Sequence, residues 1–320
     1  MKHLTILVPD GENNLSSIVG AYKIFSRANE LRKPVFHIEL AGVSASADFH
    51  GGLFSARPHK LISEIKRTDL VIIPSLNHNY QASTSINGEL TDWIAKQYRG
   101  GAAVACICTG AFLLAASGLL DGKSCSTHWS TADDFRALYP KVKLQTDLLI
   151  TDENGIYTNG GAYSFLNLIL YLVEKYYDRE TAIHCAKIFQ IEIDRHSQSD
   201  FIIFQGQKTH GDELVKKAQD YIEHRLDEKI PTEELAASLA IGRRNFDRRF
   251  IKATGNTPTE YAQRVKMEVA KKAFETSRKS VNEVMFEVGY SDQKAFREVF
   301  RRITGLSPLE YRNRYNKDAA

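Results

Sequence analysis

A repeat in the last third of the chain constrains its fold more than any other feature of the sequence. Seven residues recur at a constant spacing of 50 positions. They are Phe246, Phe250, Thr254, Gly255, Pro258, Glu260 and Tyr261, which reappear as Phe296, Phe300, Thr304, Gly305, Pro308, Glu310 and Tyr311. This many identities at one spacing indicates two copies of one structural unit.

Each copy is predicted to form a helix, a turn and a second helix. In the first copy, Thr232 is the predicted N-cap, residues 240–242 form the turn, and residues 243–253 form the second helix. In the second copy, Ser280 and Glu283 are spaced as a capping box, and the turn has one extra residue. The first helices carry apolar stripes of Leu235, Ala236 and Leu239 and of Val284, Met285 and Val288. The paired phenylalanines, four positions apart, are predicted core residues.

Both copies end in the same way. Gly255 and Gly305 stand where a helix needs a left-handed C-terminal residue. Each is followed by a hydroxyl residue, a proline and then a glutamate, which together predict the start of a new helix. After the first copy this helix is predicted to run to about Glu275, with Tyr261, Val265 and Val269 on one face. Such a helix would hold the two copies at a fixed separation.

The exposed positions of both second helices favour double-stranded DNA as the partner. Residues 213–320 carry 22 Lys and Arg against 17 Asp and Glu, whereas residues 1–212 carry 20 against 22. Two helix-turn-helix units on a stiff helix suit successive major grooves. The side chains predicted to read bases are Arg243, Arg244, Asn245, Arg248, Gln293, Lys294 and Arg297, and those predicted to contact phosphates are Lys252, Thr257, Arg301, Arg302 and Ser307. A duplicated protein-interaction module is the alternative.

The region from about residue 213 to 315 resembles the DNA-binding domain of the AraC family. The resemblance is carried by Gly289-Tyr290-Ser291-Asp292, Phe296, Phe300, Gly305, Pro308 and Tyr311-Arg312. It implies an all-α domain of two helix-turn-helix subdomains joined by a helix. Two positions depart from the family pattern: Glu298 stands where arginine is usual, and Gly242 stands where serine is usual. The second subdomain is therefore expected to read fewer bases, or Glu298 to pair with a neighbouring arginine.

The first two hundred residues alternate between short apolar runs and helical patterns. The predicted strands are residues 4–8, 35–41, 70–73, 103–107 and 156–158, with helical patterns at 16–28 and 163–176. Alternation of this kind predicts an α/β domain with a mostly parallel sheet, helices on both faces and a flavodoxin-like order. We assign residues 1–205 to this domain, residues 206–212 to a linker and residues 213–320 to the DNA-binding domain.

Residues 102–120 carry no charge, yet their composition is that of a buried strand, a turn and a core helix rather than of a membrane span. Cys108 falls at that turn, where a helix N-terminus lowers a thiol pKa, and His128 follows twenty residues later. Cysteine with histidine is the nucleophile–base pair of covalent catalysis. The four cysteines show no CxxC pair or zinc-ligand spacing with histidine, so we predict free thiols in the cytoplasm, no metal and no cofactor.

The N-terminal region resembles the class I glutamine amidotransferase-like (PfpI/ThiJ) superfamily, and the whole chain resembles AraC regulators of the GlxA type. The matching segments are residues 106–115, 118–122, 127–129 and 158–162. The resemblance implies that Cys108 is the elbow cysteine and His128 its histidine. The acidic residue of the enzymes is replaced by Ser17, and their Gly-Gly pair is replaced by Ser75-Leu76. We therefore expect a retired catalytic pocket that senses an effector, formed by Ser17, Ser75, Cys108, Thr109, His128 and Asn159.

These observations predict a one-component, sequence-specific transcription regulator rather than an enzyme. A small molecule would bind the N-terminal domain, which would form a homodimer as in its relatives, and no membrane contact is expected. The alternative is a cysteine-dependent hydrolase or aldehyde-processing enzyme that uses Cys108 and His128, with an appended DNA-binding module. A redox sensor pairing Cys106 with Cys108 is a third possibility, but a disulfide between residues only two apart is disfavoured because disulfide geometry is specific.

Overall fold

The structure, a computed structural model, describes residues 1–77, 80–208, 210–228 and 231–316. The chain divides into two compact units, an N-terminal unit (Met1–Gln198) and a C-terminal unit (Ser199–Ala320). This division lies earlier than the expected boundary at residue 205, because residues 199–205 pack with the C-terminal unit. Thr209, in the expected linker, lies outside the described residues.

The N-terminal unit is an α/β domain. Its strands are β1 (Lys2–Val8), β2 (Phe36–Gly42), β3 (Ala47–Phe49), β4 (Phe54–Ala56), β5 (Lys60–Leu61), β6 (Leu70–Ile73), β7 (Ala103–Ile107), β8 (Ser124–Cys125), β9 (Lys143–Leu144), β10 (Ile150–Glu153) and β11 (Ile156–Asn159). Its helices are α1 (Leu15–Leu31), α2 (Tyr80–Ile86), α3 (Gly88–Arg99), α4 (Ala111–Ala116), α5 (Ala132–Leu138), α6 (Phe165–Tyr176) and α7 (Arg179–Phe189).

The main sheet has the predicted doubly wound topology. Its seven strands follow the order β10-β11-β7-β6-β1-β2-β5, and every neighbouring pair is parallel except β10 with β11. The five central strands, numbered among themselves, give the flavodoxin order 2-1-3-4-5. The order reverses beside β1, and ligands of such sheets bind where the strands end near this reversal.

Helices cover both faces of the sheet because the strand residues that point to either face are apolar. On one face, Leu4, Ile6 and Val8 of β1 pack in a core with buried residues of α1, α6 and α7. On the other face, Val71 and Ile73 of β6 join buried residues of α3, α4 and α5. Residues 102–120, the long uncharged segment, form β7, a sharp turn and α4 as predicted. Among the described residues, the structure has no helix with the length and apolar character of a membrane span.

The C-terminal unit is helical and contains the duplicated module. Its helices are α8 (Glu213–Glu223), α9 (Thr232–Ser238), α10 (Arg243–Thr254), α11 (Pro258–Thr276), α12 (Val281–Glu287), α13 (Gln293–Thr304) and α14 (Pro308–Tyr315). Helices α9 and α10 form the first helix-turn-helix, and α12 and α13 form the second. Each has its own core, built around Phe246 and Phe250 or around Phe296 and Phe300, and all four rings are fully buried.

The helix-boundary signals of the repeat are confirmed. Gly255 and Gly305 adopt left-handed φ angles of 69° and 78° after α10 and α13. Thr257, Ser280 and Ser307 each cap a helix in a complete capping box. Two details differ from the prediction. Pro231 rather than Thr232 precedes the first turn of α9, and Val269 on α11 is exposed because Met267, Ala270 and Phe274 turn towards the core instead.

Candidate DNA-binding surface and sensor pocket

The second helix of the first module, α10, presents a polar surface opposite its two phenylalanines. Arg243, Arg244, Asn245 and Arg248 are all exposed. Arg243 forms an ion pair with Asp247 at 2.8 Å, and Arg248 Nη2 donates to Asn245 Oδ1 at 3.0 Å. Arg244 has no hydrogen bond or ion pair with another described residue. These exposed contacts are weak and exchangeable, so the side chains are available to a ligand.

The matching helix of the second module, α13, presents Gln293, Lys294 and Arg297, which are also exposed. Gln293 Nε2 donates to Asn282 Oδ1 at 2.7 Å, so this side chain is oriented by the preceding helix. Within the part of the chain that the structure describes, Lys294 and Arg297 have no ion pair. Glu298 is exposed and forms no ion pair with an arginine among those residues, so the expected pairing is not found.

The residues assigned to phosphate contacts lie at the C-terminal ends of α10 and α13 and at the N-terminal ends of α11 and α14. Lys252, Arg301 and Arg302 are exposed in the last turns of α10 and α13. Arg302 Nη2 donates to Gln263 Oε1 at 2.5 Å, which connects α13 to α11. Thr257 and Ser307 already cap α11 and α14 with their side-chain oxygens, so a phosphate would be met by the N-terminal amides of these helices.

A segment that we call the strap, residues 199–208, spans both modules of the C-terminal unit. At its start, Asp200 forms an ion pair with Arg314 of α14 at 2.6 Å, and the 3-10 turn Ser199–Phe201 contacts α13. Further along, the Ile202 carbonyl accepts from the Lys271 ammonium, and Phe204 N donates to Glu268 Oε2 at 3.0 Å. The strap is therefore anchored to the second module and to the connecting helix α11.

The end of the strap is anchored to the first module. Gly206 has a φ of 71° and lies against Tyr261, where a Cβ atom would come within 2.6 Å of the hydroxyl, so only glycine fits. The Gln207 carbonyl accepts from Gln219 Nε2 at 2.8 Å. Lys208 Nζ lies 3.0 Å from Asp220 and 2.6 Å from Glu223. Residues 206–208, expected to be part of the linker, are therefore held against α8 and α11.

In the N-terminal unit, Cys108 forms a sharp turn at the end of β7. Its φ is 53°, in the left-handed region that residues with a Cβ seldom adopt. The turn brings Gly110 so close to the preceding strand that a Cβ atom there would lie 2.5 Å from the Pro74 carbonyl oxygen. A strained strand-to-helix turn of this kind is the geometry of a nucleophile elbow. Only 4% of Cys108 is exposed, however.

The ends of four strands place polar side chains around Cys108. Ser17 Oγ accepts from the Ser75 amide at 3.1 Å, and the hydroxyls of Ser75 and Thr109 are 2.8 Å apart. Asn159 Oδ1 accepts from the Cys108 amide at 3.1 Å. The structure thus brings together five of the six predicted pocket residues in one buried network, and two of its backbone amides are occupied by side chains.

The sixth residue, His128, does not bond to the thiol. Its Nδ1 lies 2.7 Å from Ser130 Oγ and accepts from the Ser130 amide, and no hydrogen bond joins the imidazole to Cys108 among the described residues. Burial lowers the pKa of His128. Burial also raises the pKa of the Cys108 thiol, although hydrogen bonds from Ser75, Thr109 and the His128 backbone oppose this. Both shifts favour a neutral pair rather than a thiolate–imidazolium pair.

An open cleft of about 580 Å³ lies beside this network. It is lined by Tyr80, Gln81, Ser130, Thr131, Asp134, Ala137 and Leu138. Burial raises the pKa of Tyr80 to about 12, with further contributions from Cys108 and Asp134. None of the six predicted pocket residues lines the cleft, although Ser130 bonds to one of them, His128. Sequence reasoning missed the lining residues; Ser130 and Thr131 directly follow the Thr127-His128-Trp129 segment, whereas Tyr80 and Gln81 lie far from it in the sequence.

Two family models match the chain. The DJ-1/PfpI family model matches residues 18–175, and a helix-turn-helix domain model matches residues 235–314. The chain therefore combines an N-terminal domain of the DJ-1/PfpI type with a C-terminal helix-turn-helix domain of the AraC type. The predicted combination of domains is confirmed.

Curated relatives share both regions at low identity. The HTH-type transcriptional regulator GbdR of Pseudomonas aeruginosa is 26% identical over 229 residues, which cover 71% of this chain and 62% of GbdR. The regulator CdhR of the same species is 25% identical over 78% of this chain and 74% of its own length. GlxA of Rhizobium meliloti is 24% identical over 71% and 73%. The chain therefore spans less than two thirds of GbdR and somewhat more of the other two.

Solved structures agree on the fold. A candidate transcriptional regulator from Vibrio parahaemolyticus is 25% identical, with a TM-score of 0.54 over 58% of this chain and 98% of that protein. An AraC family transcriptional regulator from Pseudomonas putida is 18% identical, with a TM-score of 0.51 over 59% of this chain and all of that protein. These likenesses support a mostly parallel DJ-1/PfpI-like sheet.

Proposed function

We propose that this protein is a sequence-specific DNA-binding transcription regulator. The observation that carries the proposal is the pair of like helices, α10 and α13. Their exposed faces hold basic side chains such as Arg244 and Arg297, which form no ion pair with another described residue. The helix α11 joins the two modules, and its 19 residues span about 28 Å. This length is close to the roughly 34 Å between successive major grooves on one face of DNA. A protein-interaction module would not require this repeated array of donors.

We further propose that the N-terminal unit senses a small-molecule effector and does not catalyse a reaction. A cysteine hydrolase needs a thiolate and free amides that stabilise an oxyanion. Here the Ser75 amide donates to Ser17, the Cys108 amide donates to Asn159, and burial raises the thiol pKa. The effector would bind in the cleft lined by Tyr80 and Asp134, beside the buried network.

The strap offers a physical connection between sensing and DNA binding. It follows the N-terminal unit directly in sequence, and it is bonded to α8, α11 and α14. We infer that effector binding changes the position of residues 199–208, and thereby how the C-terminal unit as a whole engages DNA. Coupling of this kind requires an element with two alternative arrangements. The effector and the DNA must each bind one of these arrangements more tightly than the other.

We also propose that the protein forms a homodimer through the N-terminal unit, as predicted from its family. The apolar side chains of Ile183 and Ile188 on α7 are 37% and 40% exposed, and a dimer interface would cover them. Light scattering should give twice the chain mass for the wild-type protein and a monomer for Ile188→Glu. A monomeric wild-type protein would refute this part of the proposal.

A selection of random duplex DNA by the purified full-length protein tests the proposed function. We expect enrichment of a site that spans two adjacent major grooves. Its affinity should fall steeply between two salt concentrations, because phosphate contacts release counterions. Salt-dependent binding without any enriched sequence would refute sequence-specific regulation.

The left-handed turn at Cys108 favours one other function, a cysteine-dependent hydrolase or aldehyde-processing enzyme. It predicts turnover of small esters or aldehydes that disappears in Cys108→Ser. The regulator proposal predicts instead that Cys108→Ser binds effector-free DNA like the wild-type protein. A folded Cys108→Ser protein with unchanged DNA affinity but lost turnover would establish the enzyme.

A further inference from the structure

Two histidines and a glutamate meet at one edge of the N-terminal sheet, away from Cys108. β1 pairs with β2 in parallel, with His3 directly opposite His37 and Thr5 opposite Glu39. Because side chains alternate along a strand, His3, His37 and Glu39 all project from the same face of the sheet. His3 Nε2 lies 2.7 Å from Glu39 Oε2, and His37 Nε2 lies 3.3 Å from Glu39 Oε1.

We propose that His3, His37 and Glu39 form a binding site for a divalent transition-metal ion of the zinc type. Their donor atoms all lie within 4.8 Å of one another. In tetrahedral coordination with bonds of about 2.0–2.1 Å, donor atoms are separated by roughly 3.3 Å. The observed separations require only small side-chain rotations to match this value. Two imidazoles and a carboxylate form an open site, with the fourth position left to water or a ligand.

The character of the donors decides which metal fits. Imidazole nitrogens favour Zn²⁺, Ni²⁺ and Cu²⁺, whereas Mg²⁺ and Ca²⁺ prefer oxygen donors. The ligands stand on two hydrogen-bonded strands, so most of the backbone geometry is set before the metal arrives. The open position would face a cleft of about 420 Å³, whose lining also includes Lys60, Lys66 and Arg67. These cations would attract an anionic fourth ligand.

Lys60 would compete with a metal ion for the carboxylate of Glu39. Its Nζ lies 3.0 Å and 3.1 Å from the two oxygens of Glu39. The Lys60 side chain is 45% exposed and can move into water when a metal replaces it. Removing Lys60 should consequently strengthen metal binding, which a purely structural ion-pair cluster would not do.

Calorimetric titration of the chelator-treated, full-length protein with Zn²⁺ tests the proposal. We expect one ion per chain, and roughly tenfold or greater weakening in His37→Ala, because one of three protein ligands is lost. Lys60→Met should bind Zn²⁺ more tightly than the wild-type protein. The matched control is His184→Ala, which removes an exposed histidine from α7 and should leave the affinity unchanged.

Co²⁺ provides a second readout, because its visible absorption reports the coordinating atoms. We expect a tetrahedral Co²⁺ spectrum in the wild-type protein and its loss in His37→Ala. His37 is more than half exposed, so this variant should fold, and circular dichroism confirms this. Zinc binding that is unaffected by His37→Ala, or an affinity that falls in Lys60→Met, would overturn the proposal.

Discussion

Replacement of Arg248 by alanine is the sharpest test of how α10 meets DNA. The side chain is exposed, and its contact with Asn245 at 3.0 Å is an i,i+3 surface pair of the kind that contributes about 0.2–0.5 kcal/mol to a helix. The folded state should therefore hardly change. A bidentate arginine–guanine contact contributes about 1–3 kcal/mol of discrimination, so the dissociation constant should rise roughly 5- to 150-fold. The preference for one base in the site should also relax.

Fluorescence anisotropy with the selected site and with single-base variants measures both effects. Lys217→Ala on α8 removes the same charge outside the recognition helices and should change affinity little. Lys252→Ala, at a predicted phosphate contact, should weaken binding equally for all sequences and lower the salt slope by about one. If Arg248→Ala behaves like Lys217→Ala, with base preference intact, α10 is not the reading helix and the reasoning fails.

Three further predictions concern the strap, the caps and the thiol. Lys271→Met removes the ammonium that holds the Ile202 carbonyl, so it should cost about 1–3 kcal/mol of unfolding free energy and speed hydrogen exchange in the strap; unchanged exchange would show that the strap is held elsewhere. Thr257→Ala and Ser307→Ala should each cost about 1 kcal/mol in urea unfolding, and their double variant the sum, since each residue caps a different helix. Because burial raises the pKa of Cys108 above its usual 9.0, the folded protein keeps a proton that the unfolded chain releases. The stability contributed by this residue should therefore be present below pH 9 and decline above it. Iodoacetamide should label Cys108 slowly at pH 7, and rapid labelling would contradict the account.

The C-terminal module was largely predictable because its signals are local. Capping boxes and left-handed glycines act within a few residues, so Ser280, Thr257 and Gly305 could be placed from the chain alone. The repeat then indicated which helices belong to the same unit, which local signals alone do not determine. The alternation of short apolar runs with helical patterns likewise predicted the sheet, because strands that are covered by helices on both faces are continuously apolar.

The contacts that depend on tertiary packing could not be predicted. Residues 206–208 were interpreted as part of a linker, yet Gln207 and Lys208 bond to side chains of α8. The family resemblance paired His128 with Cys108, but the Nδ1 of His128 bonds to the nearby Ser130 instead. His3 lies more than thirty residues before His37 and Glu39 in the sequence, and only the register of β1 and β2 brings the three side chains together.

The central claim is that two recognition helices at a fixed separation read one DNA site. The most direct test compares affinity for the selected site with affinity for the same site carrying five extra base pairs between its two halves. The account predicts that the insertion, which rotates the halves to opposite faces of the duplex, reduces affinity to that of a single half-site. An insertion of about ten base pairs should not restore it, because α11 cannot lengthen. Undiminished affinity after the five-base-pair insertion would contradict the account.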